Sequence, residues 1–171
     1  MMPGLGGDPN HFHWLARSLM QAGWPVLVLE HPGSDAAAVQ GLLEGRQSFD
    51  GAAALSDRLA DLAAVLEAQQ RGDLNIPGIE VVLIGHSLGA LTALLASGAE
   101  LVPGMAQRCE AALAGLPLTN LSELLQCELA AGRVLDGKEM DSPPRAVVGL
   151  NSFGGLIWPY RASRALPIPL L

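Results

Sequence analysis

The sequence predicts an α/β protein, a three-layer α/β/α sandwich around a mostly parallel sheet. Three observations carry that expectation. Short continuous apolar runs at 25–30, 81–84 and 146–150 have the length and β-branched content of strands buried on both faces. Segments with apolar residues at helical spacing separate them, the alternation that parallel βαβ units produce. Half of the 171 residues are apolar and 16% are charged, enough for one domain with a real core.

Taken in order, Asp8-Pro9 reads as an N-cap followed by the first helical residue. Phe12, Leu15, Ala16, Leu19 and Met20 then recur at helical spacing until Gly23. The run 25–30 is the first buried strand, and His31-Pro32-Gly33-Ser34-Asp35 is a turn that opens a short helix over 36–43. Ala52, Leu55, Leu59, Leu62 and Leu66 mark a long helix over 50–70, with Arg58 and Asp61 among its polar positions. Gly72-Asp73 and Pro77-Gly78 punctuate the path to the strand at 81–84, and a helix runs from Ala90 to Gly98, which reads as its C′ residue. Weaker helical patches at 106–114 and 121–130 belong to an excursion over about 100–144, broken by Pro103-Gly104 and Leu116-Pro117 and ending in a polar stretch with Asp136, Lys138, Glu139 and Asp141. Such an excursion is expected above the strand ends, where a lid would sit. Residues 146–150 form the third strand, ending at Asn151-Ser152, and 168–171 open a fourth.

The net charge of −7, without a run of basic residues, argues against a nucleic-acid or anionic-membrane surface. No stretch has the ~18 uninterrupted apolar residues of a membrane helix, and the first seven residues lack the basic and apolar parts of a signal peptide. A soluble chain is expected, its compartment left open. Cys109 and Cys127 have no His or Cys neighbours at metal-ligand spacing, so either a single local disulfide or two buried thiols fits. His11 and His13, two apart on a helix, point to different sides and cannot chelate one metal. Gly4-Leu5-Gly6-Gly7 lacks the preceding strand and third glycine of a dinucleotide loop. Trp14, Trp24 and Trp158 have no interleaved basic residues and read as core or lid residues. No cofactor or metal is expected.

The most informative segment is Glu80 to Ala90, Glu-Val-Val-Leu-Ile-Gly-His-Ser-Leu-Gly-Ala, where an apolar strand meets a helix at Ser87. Gly-x-Ser-x-Gly alone is common in a chain with 20 glycines, but this context is that of a nucleophile elbow. A serine on so tight a turn sits in a strained backbone, and the chain closes in so far that the residues two before and two after must be minimal, as Gly85 and Gly89 are. Its hydroxyl stands at a helix N-terminus, where the Leu88 N–H and the helix dipole favour a developing oxyanion.

With that elbow on a βαβ framework the sequence resembles the α/β-hydrolase superfamily. More narrowly it resembles bacterial dienelactone-hydrolase-like serine hydrolases related to platelet-activating-factor acetylhydrolases. Gly4-Leu5-Gly6-Gly7 resembles their oxyanion loop, the segment from Glu30 to Asp35 resembles the one after their fourth strand, Arg58 and Asp61 fit a helix motif, and Leu124 to Cys127 resembles their lid. The resemblance implies Ser87 as nucleophile, the backbone N–H groups of Leu5 and Leu88 as oxyanion hole, and a small carboxylic ester or lipid-like acyl substrate hydrolysed through an acyl-enzyme. True dienelactone hydrolases carry cysteine at the elbow.

Two departures follow. The family order is serine, acid, histidine, yet His11, His13, His31 and His86 all precede Ser87, and Asn151 stands where the acetylhydrolase branch has aspartate. Asp136 and Asp141 fall before the third strand and fit the acid poorly. His86 reads as a packing residue, and His31 either makes a structural hydrogen bond in its turn or faces the site. At the other end only Met1-Met2-Pro3 precede the oxyanion loop, with Pro3 where the family has histidine. The strand that normally lies between 25–30 and 81–84 is then missing, leaving a gap with unpaired backbone groups unless the flanking strands close up. The expectation is an incomplete α/β-hydrolase fold, an internal fragment with negligible activity, or alternatively a non-catalytic relic or binding module.

Overall fold

The structure is a computed structural model, describing residues 1–78, 80–100, 102–114, 121–130, 143–152, 154–159 and 169. Asp136 and Asp141, most of the expected fourth strand and the two interhelical stretches of the excursion fall outside them.

Asp8 opens the chain's first helical segment, its Oδ1 accepting from the Asn10 N–H at 2.7 Å. A 3₁₀ turn, Pro9–Phe12, comes first and the α-helix proper, α1, is His13–Gln21. Asp35 and Asp50 cap the next two helices in the same way: α2, Ala36–Leu43, through Ala38 N at 2.8 Å, and α3, Gly51–Gln70, through Ala53 N at 3.0 Å. Strand β1 is Val82–His86, and helix α4 is Leu88–Ala96. That helix starts two residues earlier than its composition suggests, because the Ser87 carbonyl already accepts from Ala90 N and Leu91 N. Gly98, at φ +85, ends it. Helices α5, Met105–Ala114, and α6, Leu121–Ala130, precede β2, Ala146–Leu150.

The sheet is parallel, with β1 and β2 in register from Val82↔Ala146 to His86↔Leu150. Leu83 and Val147 pack on α3 and α4 through Leu62, Ala93 and Leu94. Ile84 and Leu150 face α1 through Met1, Phe12 and Ala16. Only the first face is fully buried: β1 alternates half-buried and buried residues, where its unbroken apolar run predicts burial on both sides.

Residues 25–30 are not the buried strand their composition predicts. They are extended but carry no ladder, and Leu27 is 39% exposed. Their backbone bonds run to Met1: Leu29 N–H donates to Met1 C=O at 2.9 Å and the Met1 amino group donates to Leu27 C=O at 2.6 Å. Met2 completes the bridge to β1, donating to Ile84 C=O at 2.8 Å and accepting from His86 N–H at 3.1 Å. The flanking segments therefore neither close up nor leave the whole gap empty. Met1 and Met2 fill one end of it, and burial there pushes the terminal ammonium down to about 6. On the far edge of β2, Val147 N–H donates to Pro169 C=O at 3.1 Å.

The excursion packs as a wall beside α3 and α4. Leu129 of α6 is buried with Leu55, Leu88, Leu91 and Ile157, and a Cβ on Gly51 would meet the Glu128 and Leu129 backbone at about 3 Å. Gln126 Oε1 accepts from Leu156 N–H at 2.9 Å, and the Arg108 guanidinium donates to the carbonyls of Val102, Pro103 and Leu156. Cys109 and Cys127 are bonded, tying α5 to α6. With the cysteines 18 positions apart, reduction is expected to lower stability by about 3 kcal/mol. Urea unfolding with and without reductant measures this, and coincident midpoints would refute the bond. Trp158 joins the core and donates from Nε1 to Glu100 C=O at 2.7 Å, but Trp14 and Trp24, expected in core or lid, are 68% and 57% exposed. Both lie at the solvent side of α1 and its exit, while Phe12 and Ala16, with the partly buried Leu15 and Leu19, face the core.

Candidate functional site

Ser87 sits between the last residue of β1 and the first of α4 at φ 51, ψ −117, a left-handed conformation that a non-glycine residue adopts at a cost of about 1–3 kcal/mol. Hydrogen bonds on both sides enforce it. The Ser87 N–H donates to Leu150 C=O of β2 at 3.0 Å, while its carbonyl begins the α4 ladder. A Cβ on Gly85 would overlap the Gly89 carbonyl and Ala90 N, and one on Gly89 would overlap the carbonyls of Met2 and Pro3.

The loop at 4–7 lies directly against the serine. A Cβ on Gly4 would stand 3.0 Å from Ser87 Cβ and 3.2 Å from His86 C=O. The loop turns through Gly7 N–H to Gly4 C=O at 3.1 Å, with Gly6 at φ +69 donating to Ser34 C=O at 2.9 Å. Neither the Leu5 nor the Leu88 N–H has a hydrogen-bond partner among the described residues. Leu88 is the first residue of α4, so its amide is one of the orphan donors of a helix start and adds the positive end of the dipole. The Leu5 side chain packs with the Leu55, Leu88, Leu91, Leu129 and Ile157 cluster, giving the site an apolar wall.

Arg58 fixes this arrangement from beneath. Only 1% exposed, it donates from Nε to Thr92 Oγ1 at 3.0 Å, from Nη1 to Ser34 Oγ at 2.9 Å, and from Nη2 to the Pro3 carbonyl. One guanidinium thus joins the 4–7 loop, the turn before α2 and helix α4. Burial lowers its pKa to about 10, opposed by the nearby Asp61 carboxylate, so it stays charged at neutral pH. Asp61, three residues along α3, accepts from His31 Nδ1 at 2.9 Å. His31 is buried, and burial first, then the charge of Arg58, pushes its pKa down to about 4 against the pull of Asp61. The neutral ring donates through Nδ1–H, and its Nε2 has no partner among the described residues. The His31 side chain thus bonds across to α3, 30 residues away, and not within its own turn as expected.

Ser87 Oγ has no hydrogen-bonding partner among the described residues. His86, adjacent in sequence, packs at a tilted angle on Phe12 with ring centroids 6.2 Å apart. Asn151 follows β2 at φ 45, exposed, and no described carboxylate joins the serine. Among the described residues no three His, Cys, Asp or Glu side chains form a metal cluster, and no helix is long and apolar enough to cross a membrane. Thr92 is the member of the site that its sequence context hides; the available signal is a lone hydroxyl in an otherwise aliphatic helix. No family model matches this chain, and comparison with curated proteins and with solved structures gives no match to either.

Proposed function

We propose that this chain carries the nucleophile elbow and oxyanion loop of a serine ester hydrolase of the α/β-hydrolase fold. The observation that supports this most is Ser87, a strained serine at a strand-to-helix turn between two backbone donors, those of Leu5 and Leu88, that have no partner among the described residues. In such a site Oγ attacks the ester carbonyl as its proton leaves, the two N–H groups receive the oxyanion, and the alcohol departs to leave an acyl-serine that water hydrolyses. Carboxylic esters and lipid-like acyl groups fit the apolar wall beside Leu5.

Ser87 Oγ, without a partner among the described residues, supports a second reading, a non-catalytic relic or binding module. Triad enzymes stripped of a member keep only about 10³ to 10⁴-fold acceleration over water, so turnover by these residues alone is expected to be negligible. A fluorophosphonate probe distinguishes the two, since it needs the nucleophile and oxyanion hole more than turnover. Slow labelling is expected that rises about tenfold per pH unit between about 6 and 9, because hydroxide rather than a side chain takes the proton. Ser87→Ala abolishes it. Labelling that survives Ser87→Ala would remove the serine from its role, no labelling would favour the relic, and an inflection near pH ~6.5 would reveal a histidine base.

A further inference from the structure

Helix α5 is held to the protein by little besides its disulfide. None of its residues is buried, and among the described residues it packs against α6 and against no other helix or strand. Met105, its first residue, reaches the apolar cluster that contains Leu88, Leu129 and Ile157. Helix α6 is seated differently. Its Gln126 and Leu129 are 3% and 1% exposed, and its backbone at Glu128 and Leu129 approaches Gly51 of α3 too closely to admit a Cβ there. The Cys109–Cys127 bond therefore joins a loosely seated helix to a firmly seated one. A bond that held the whole fold would join two core elements; breaking this one leaves α3, α4 and α6 packed and frees α5.

The residue before each sulfur grips the same point of the chain. Arg108 Nε donates to Leu156 C=O at 2.5 Å, and Gln126 Oε1 accepts from Leu156 N–H at 2.9 Å. The next residue, Ile157, is 1% exposed and belongs with Leu88 and Leu129 to the cluster against which Leu5 packs. A line of contacts thus runs from the disulfide through Leu156 and Ile157 to the apolar wall beside the Ser87 turn. Both cysteines are half-buried, so a small thiol can reach the bond.

We propose that the Cys109–Cys127 bond is a redox latch on this wall. A dithiol reductant opens it: one reductant thiolate attacks a cysteine sulfur and releases the other as a thiolate, and the second reductant thiol then displaces the first cysteine. The chain gains two electrons and two protons as two cysteine thiols, and the reductant leaves as its disulfide. Helix α5 then swings off α6 and withdraws Arg108 from Leu156, and the wall beside Leu5 loosens while the core stays folded. An oxidant of the disulfide class closes it again by the reverse exchange. The latch itself stands on the packing of α5; its consequence at Ser87 rests on the hydrolase reading.

Hydrogen exchange of the 171-residue chain with and without dithiothreitol, below any unfolding, tests the latch. The α5 amides and Leu156 N–H are expected to exchange about tenfold or more faster when reduced, those of Leu91, Leu94 and Ile84 to keep their protection, and reoxidation to restore the first set. The double variant Cys109→Ser, Cys127→Ser should match the reduced chain without reductant. Unchanged α5 exchange, or equal loss of protection in α4 and β1, would overturn the latch, the latter making the bond a staple of the whole fold. The consequence at Ser87 is read from the labelling rates of dodecyl and ethyl fluorophosphonates. Their ratio is expected to fall about threefold or more on reduction, as the wall stops guiding the long chain. Labelling with an unchanged ratio would cut the latch from the site and overturn the proposal there. Absence of labelling in both redox states would instead count against the hydrolase reading, and the exchange result alone would then decide the latch.

Discussion

Arg58→Met is expected to lower the folding free energy by about 3 kcal/mol, a large share of the ~5–15 kcal/mol that holds a domain of this size together. The side chain is fully buried and its guanidinium is the donor for three separate oxygens. Two of those, Thr92 Oγ1 and Ser34 Oγ, already spend their own protons on Leu88 C=O at 2.9 Å and His31 C=O at 3.3 Å, so neither can turn to replace the lost donor. Methionine fills the volume and leaves those acceptors dry, each a penalty of about 1 kcal/mol or more. Removing the cation also strips Asp61 of its compensating charge, but that carboxylate is 38% exposed and water screens the loss. Arg58→Lys restores the charge without the planar fork and should recover less than half. Urea midpoints measure both variants; a methionine variant as stable as the parent would show that the three contacts carry no net energy. The local counterpart is faster hydrogen exchange at Gly6 N–H, whose acceptor, Ser34 C=O, sits in the turn that Arg58 anchors.

What the chain reveals of itself depends on how far apart in sequence the determining groups lie. The elements around Ser87, the caps at Asp35 and Asp50 and the boundaries of α2, α3 and β2 are set by residues within a few positions of one another, and spacing alone places them to within two residues. The segment 25–30 has equally good strand composition and is not one, since a ladder depends on which chain lies alongside and composition does not record that. Spacing marks Arg58 only as a polar position of its helix, and the distant Pro3, Ser34 and Thr92 make it a buried hub. The pairing of Cys109 with Cys127 is likewise settled by how α5 lies on α6, which spacing left open. Of the candidate site, the residues at the elbow are legible because a tight turn constrains their identities. The unpartnered state of the Leu5 and Leu88 amides depends on where each neighbouring carbonyl goes, and no sequence pattern records that.

Gly85→Ala should be more damaging than any other single methyl added to this chain's glycines outside the elbow, by about 4 kcal/mol or more. At most glycines a new Cβ meets open space, a flexible side chain or a strained φ, and the structure can yield. At 85 it meets the Gly89 carbonyl and the Ala90 nitrogen, backbone atoms of the first turn of α4. Relief requires α4 to lift from β1, yet Leu91, Ala93 and Leu94 are buried in the two largest apolar clusters, so the lift exposes core on both sides. The strained φ of Ser87 worsens the position, because the turn has no slack left to absorb a shift. Gly155→Ala is the matched control: nothing lies within 4 Å of its added methyl and its φ is ordinary, so its unfolding midpoint should move by less than about 0.5 kcal/mol. Paired urea titrations decide the matter. Equal midpoints for the two variants would mean that strand and helix do not approach as closely at this turn as these glycines require, and the serine between them would then lose the backbone strain on which its proposed role rests.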